Sequence, residues 1–256
     1  MNTYVPLDVG RLIISENVYG FFVKAIARPG VMAEILRTAA KFGLTIVHTT
    51  NSLPTKIGSP ASFIVFYDFT NVKATPEEVK EAIEKSVKNV EVEIIKPKLK
   101  GLIADLTHFP LIFLNERAII LRTTVLKGWL IRIRERFGSG GEAFLFYEGF
   151  EMGSAVYDDY MRLGFKGKEL WDVLSITLFS AGIARDMKIN LATPVTIEVW
   201  ENIECSMASS KGKCFSQWLR GVLSGFASRY FKKNVCANEV KCIAKGNPSC
   251  VFEVPL

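Results

Sequence analysis

Five cysteines, Cys205, Cys214, Cys236, Cys242 and Cys250, all fall after residue 204 of a 256-residue chain. An odd number cannot pair completely as disulfides, and grouping this local points to one site rather than a distributed framework. The stretch "KCIAKGNPSC", residues 241–250, holds two of them eight positions apart. Its flanks, "EVKCIA" and "CVFEVP", read as a strand pair around a tight turn near "KGNP". A three-residue loop would set Cys242 and Cys250 opposite one another, with Cβ atoms about 4.5–5.5 Å apart. That spacing suits a disulfide, two ligands of one tetrahedral ion, or inert core thiols, and geometry alone leaves all three open. Two further features tip the balance toward a metal. Cys214 stands at the start of a long helix, where the positive end of the macrodipole favours a thiolate. Glu204 and Cys205 precede it, and soft and acidic groups converging from a strand, a helix start and a hairpin are what a structural zinc site requires.

The elements that must position these groups follow from pattern. "VTIEVWENIECS" reads as a strand and "GKCFSQWLRGVLSGFASRYF" as a helix, with Phe215, Trp218, Leu219, Val222, Leu223, Phe226 and Tyr230 at i, i+3, i+4, i+7 spacing. Gly221 and Gly225, one turn apart, permit close backbone approach at about 1 kcal/mol of helix propensity each. Upstream, "FLNERAIILRTTVLKGWLIRIRERFG" reads as a short strand or turn and a helix ending near Phe137. In "EAFLFYEGFEMGSAVYDDYMRLG" the residues Phe146, Phe150, Gly153 and Tyr157 share one helical face with a small-residue notch. "KELWDVLSITLFSAGIARDM" supplies another helix, with Leu170, Leu174, Leu178 and Ile183 as buried candidates. These faces are either packed core or the lining of an apolar cavity between Phe146, Phe150, Gly153, Tyr157, Leu174 and Leu178, suited to a small hydrophobic ligand.

The first third is a separate module. "VYGFFVKAI" alternates as a strand, "ARPG" turns, and "VMAEILRTAAKF" is a helix ended by Gly43. "LTIVHTTNS" and "SFIVFYDF" are strands joined by "LPTKIGSPA". "TPEEVKEAIEKSV" has Thr75 as N-cap and Pro76 as first helical residue, and "VEVEII" closes the set before the basic linker "KPKLKG". The order is βαββαβ, a split βαβ sandwich. The class is therefore α+β. Residues 1–17 form an extension, 18–97 the βαββαβ module, 98–101 a linker and 102–256 a second domain ending in the hairpin.

Composition narrows the function. The chain is 49% hydrophobic and 23% charged with a net charge of +6, which is globular and mildly basic. The densest basic run, "IRIRERFG", alternates with apolar residues and reads as a solvated helix face, not a nucleic-acid footprint. No apolar run is long enough for a membrane span, and "MNTYVPLDVGR" lacks the charged start and apolar core of a signal peptide. A cytoplasmic location is expected, where lasting disulfides are uncommon.

Two family resemblances add to this reading. Residues 18–97, through the element order and "ARPGVMAEI", resemble an ACT domain, a ferredoxin-like regulatory module. The resemblance implies an amino-acid site at Arg28, Pro29, Gly30 and Val31 and pairing into a homodimer; the acidic residue that usually precedes Arg-Pro-Gly is Ala27 here. From residue 102 onward, a helix opening with Cys and running "LRGVLSG", followed by "VKCIAKGNPSCVFEV", resembles a 4-vinyl reductase domain. That resemblance implies a fold like vesicle-tethering complex subunits, an apolar pocket, and relatives that include aromatic-compound sensors. It also implies zinc on Cys214, Cys242 and Cys250 with an upstream glutamate: Glu204 fits best, with Glu201 and Cys205 as rivals. Cys236 is left as a packed thiol.

Two function classes follow: a ligand-sensing regulator, or a reductase or accessory subunit of a tetrapyrrole or redox enzyme. No Gly-rich nucleotide fingerprint and no nucleophile–histidine spacing is present, and His48 and His108 lie far from the cysteines in sequence, so no catalytic residue is assigned. The regulator is the favoured expectation.

Overall fold

The computed structural model describes residues 4–52, 56–208 and 212–256. The chain divides between Ile119 and Ile120 into two units.

In the first unit the elements are β1 (Leu12–Ile14), β2 (Val18–Ile26), α1 (Val31–Ala40), β3 (Thr45–Asn51), β4 (Pro60–Asp68), α2 (Pro76–Ser86), β5 (Val90–Ile95) and β6 (Leu102–Ala104), followed by the small hairpin β7 (Ile112–Phe113) and β8 (Glu116–Arg117). The central sheet runs β3-β4-β2-β5, antiparallel throughout. Period-2 alternation sends Phe21 and Val23 of β2 and Val65 and Tyr67 of β4 to one face, where Ile35 and Ala39 of α1 and Val79 and Ile83 of α2 cover them. The start of α2 follows its sequence signature: the Thr75 hydroxyl accepts from the Glu78 N–H, and the Glu78 carboxylate accepts from the Thr75 N–H. The loop residues 53–55, within the expected β3–β4 connection, lie outside the described residues.

The expected linker at 98–101 does not end this unit. β6 pairs antiparallel with β1, Ile13 opposite Ile103, and Ile103 is fully buried with Phe22, Ile64, Phe66 and Ile95 on the second sheet face. Burial of that face carries the unit on to residue 119. Gly20 makes room there, since a Cβ at its position would sit 2.9 Å from the Phe66 ring.

The second unit contains α3 (Thr123–Leu126), a π-helical turn (Lys127–Ile131), α4 (Arg132–Phe137), α5 (Ser139–Arg162), α6 (Glu169–Ser180), β9 (Asp186–Asn190), β10 (Val195–Trp200), α7 (Ile203–Ser206), α8 (Trp218–Phe231), β11 (Asn238–Lys241) and β12 (Cys250–Val254). Its sheet runs β11-β12-β10-β9, antiparallel. Leu174 and Leu178 of α6, Leu219, Leu223 and Phe226 of α8, and Ile197, Val199 and Phe252 of the sheet form one core. Against α8 lies α5, through four glycines: Gly149 and Gly153 face the carbonyls of Trp218 and Val222, while Gly221 and Gly225 face those of Phe146 and Phe150. Three differences from the sequence reading bear on the site. β9 occupies residues expected at a helix end, the strand expected through Ser206 stops at Trp200, and α8 begins at Trp218 rather than at Cys214.

Candidate metal centre

Glu201 adopts φ 52 after β10, and Asn202 then caps the one-turn helix α7, its side-chain oxygen accepting from the Glu204 N–H at 3.1 Å. This reversal turns Cys205 back under the sheet. At the other end of the sheet, β11 carries a bulge between Glu239 and Lys241. Residues three apart on a regular strand face opposite sides, and the bulge brings Glu239 and Cys242 to one side. After Cys242 the chain makes a 3-10 turn, Ile243–Lys245, with Gly246 at φ 91. Asn247 closes it: its side-chain oxygen accepts from the Cys242 N–H and its own N–H donates to the Cys242 carbonyl. The loop is longer than three residues, yet it returns Cys250 to the same point.

Cys205, Glu239, Cys242 and Cys250 thus converge, each offering one ligand atom, all within 4.8 Å of one another. The Cys242 sulfur is 3.4 Å from that of Cys205 and 4.0 Å from that of Cys250. A tetrahedral ion with metal–sulfur bonds of about 2.3 Å requires sulfur–sulfur edges of about 3.8 Å. The donor spacing fits, and these four groups could hold a metal ion. The five cysteines are all unbonded to one another.

The charge state of the cluster is prepared for this. Hydrogen bonds from Cys205 and Cys250 hold the Cys242 thiol well below its ordinary range. The same hydrogen bonds, with burial, push Cys205 up. For Cys250 the contact with Cys205 pulls down, but Cys242 and burial outweigh it and set it at about 12. Burial first, then the Cys242 sulfur, pushes the Glu239 carboxyl up to about 7. One thiolate sits among protonated neighbours.

A second layer surrounds the donors. Ser216 donates its N–H and hydroxyl to the two Glu239 oxygens, each at 2.9 Å. Asn202, fully buried, directs its amide at Ser216 Oγ (2.7 Å) and at the sulfurs of Cys205 (3.4 Å) and Cys250 (3.7 Å). Such outer partners orient metal ligands and are as much part of a site as the ligands themselves.

Two expected ligands stand elsewhere. The fully buried Glu204 carboxylate accepts the N–H groups of Gln217, Trp218 and Leu219 at 2.8–3.0 Å and pairs with Arg134. It caps α8 and has no lone pair directed at the cluster. Cys214 lies four residues before α8, so no helix start activates it. Its sulfur donates to the Glu239 carbonyl at 3.1 Å, and burial with the neighbouring Glu239 charge raises its thiol. Glu201 is exposed and paired with Arg185, and Cys236 is exposed beside Arg220. Cys205, named in the sequence only as a rival, takes the third thiol position. Glu239 was missed because the bulge that re-aims it leaves no mark in the hydropathy pattern.

The six expected cavity residues do not enclose one space. Gly153, Leu174 and Leu178 are buried in packing, and Tyr157 packs edge-on against Phe226. Phe146 and Phe150 line an open groove of ≈ 740 Å³ with Ser154, Arg229, Lys232 and Cys236. In the first unit, Arg28, Pro29 and Val31 line a cleft of ≈ 450 Å³, and Gly30 (φ 85) precedes α1. Arg28 is held by two hydrogen bonds to Glu34.

Comparison with known proteins bears on the second unit. The chain is 40% identical over 45 residues to the uncharacterized protein MJ1460 of Methanocaldococcus jannaschii, covering 18% of this chain and 28% of that one. It is 28% identical over 106 residues to MJ1642 of the same organism, covering 39% and 66%. It thus spans less than two thirds of either curated relative. Among solved structures it is similar to the phenol-responsive sensory domain of the transcription activator PoxR with phenol (TM-score 0.46, 18% identity, 56% of this chain and 79% of that chain). It is also similar to a vinyl-4-reductase family protein of Methanocaldococcus jannaschii (TM-score 0.42, 21% identity, 54% and 83%). No described helix is long and apolar enough to cross a membrane. Residues 195–256, which contain all four converging donors and both outer partners, match the vinyl-4-reductase domain.

Proposed function

We propose that this protein is a ligand-sensing regulator whose vinyl-4-reductase segment is organised by a structural zinc ion on Cys205, Glu239, Cys242 and Cys250. The observation that carries the reading is the coincidence of the domain match with three sulfurs and a carboxylate at tetrahedral spacing. Zinc suits a mixed sulfur and oxygen set with no open position. An ion there would tie α7, β11 and β12 together, a contribution to folding on the order of 10 kcal/mol. The sensing role rests on the sequence resemblance of this segment to a family whose relatives include aromatic-compound sensors. The groove beside Phe146 and Phe150 is the proposed seat, with aromatic walls and a volume in the range of small-molecule sites.

The first unit is proposed to act as an ACT-like partner module, taking an amino acid at the Arg28–Val31 turn and pairing with a second copy. Glu34 would then have to release Arg28. The test combines metal analysis with thermal-shift screening of aromatic compounds and amino acids, and light scattering for the mass. One zinc per chain, a stabilising aromatic compound and loss of that shift in Phe150→Ala support the reading. Metal-free protein that is indifferent to every compound overturns it.

A further inference from the structure

Asn202 is an amide with no contact to water, placed where apolar residues dominate. Burying an amide is costly unless its hydrogen bonds are made, so its partners are informative. Its oxygen is used by the Glu204 N–H as the cap of α7. Its nitrogen reaches the sulfurs of Cys205 and Cys250 and, through Ser216 Oγ, the Glu239 carboxylate. One side chain therefore touches two of the four donors directly and a third through a single hydroxyl. Three thiolates and a carboxylate around a divalent cation carry a net charge of about −2, which a buried site must offset with N–H donors. Backbone N–H groups of Ile243 and Ala244 serve Cys250 and Cys242. Among the described groups assigned to Cys205, Asn202 is the amide donor.

We infer that Asn202 is the outer-sphere clamp of this metal centre: its amide offsets thiolate charge on Cys205 and Cys250 and fixes Ser216 so that Glu239 is held in ligating position. This rests on the metal reading above and adds a residue and a role to it. Asn202 is a positioning residue and does not ligate.

The test uses full-length protein loaded with cobalt(II), whose sulfur-to-metal charge-transfer band reports electron density on the thiolates. Asn202→Ser keeps a good helix cap but is too short to reach either sulfur. It should shift the band to lower energy and speed metal transfer to a chromophoric chelator by about 10-fold or more. Asn202→Asp retains the shape, removes the N–H groups and should do the same more strongly, which covers the case in which the serine variant does not fold. Ser216→Ala should weaken retention while leaving the sulfur band in place, because it touches only the carboxylate arm. Variants with unshifted bands and wild-type release rates would overturn the clamp. A wild-type chain that takes up no cobalt overturns the metal reading itself, and the clamp with it.

Discussion

The backbone of Gly153 rests on the carbonyl of Val222: a Cβ at residue 153 would lie 2.0 Å from that oxygen. The notch in the aromatic face of α5 is thus filled by α8 and holds no ligand. Its counterpart Gly225 meets the Phe150 carbonyl at 2.0 Å from the other side. Neither carbonyl can retreat, since each belongs to a continuous helix.

Gly153→Leu is therefore expected to separate the two helices and cost more than about 3 kcal/mol, beyond the usual range for overpacking. Chemical denaturation checks it. A variant with wild-type stability would mean that α5 and α8 are not in contact there.

Glu204→Ala tests a different joint. It leaves Arg134 buried and unpaired over the Phe215 ring, 4.0 Å away, and strips three N–H groups at the start of α8 of their acceptor. Removing one partner of a buried pair costs about 3–5 kcal/mol. Metal content should nevertheless stay at the wild-type ratio, because Glu204 is not among the converging donors. Loss of metal with stability intact would restore Glu204 as a ligand.

How far the sequence carried these elements depends on the range of the interactions that set them. β2, α1, α2 and β5 were legible because alternation, helical spacing and the Thr75 capping box are local signals. The pairing of β1 with β6 was not, since both strands have three residues and their partners are about ninety positions apart. At the site, the Cys242–Cys250 proximity could be read from the hairpin. Cys205 and Glu239 depend on a left-handed residue at Glu201 and a bulge in β11, neither of which shows in hydropathy. Spacing that looked like a strand hid a reversal at Cys205. Spacing that put Glu239 on the wrong face hid the bulge.

Cys205→Ser and Cys214→Ser should separate cleanly. The first removes a donor that lies 3.4 Å from the Cys242 sulfur, and metal per chain should fall well below that of wild type, with lower thermal stability. The second removes a thiol whose contact is a backbone carbonyl, and metal should be retained. Metal analysis after dialysis distinguishes them; the opposite pattern would place Cys214 in the ligand set.

The strongest chemical prediction concerns pH. Binding a metal displaces the protons of its ligands, so affinity falls on acidification wherever a ligand is protonated in the free protein. Cys242, held low by its neighbours, contributes little of this dependence near neutrality, whereas Cys205 and Cys250, both raised, contribute throughout. Glu239 adds a break. Its carboxyl is raised to about 7, so above that pH it is already ionised and adds nothing further. Below it the ion must displace its proton, and affinity should lose about one further factor of ten per pH unit. Zinc affinity measured by competition on either side of neutrality should therefore steepen below about 7. In Glu239→Gln the bend should vanish while the thiol-dependent slope persists. A straight profile in the wild type, or a bend that survives the glutamine, would remove Glu239 from the ligands.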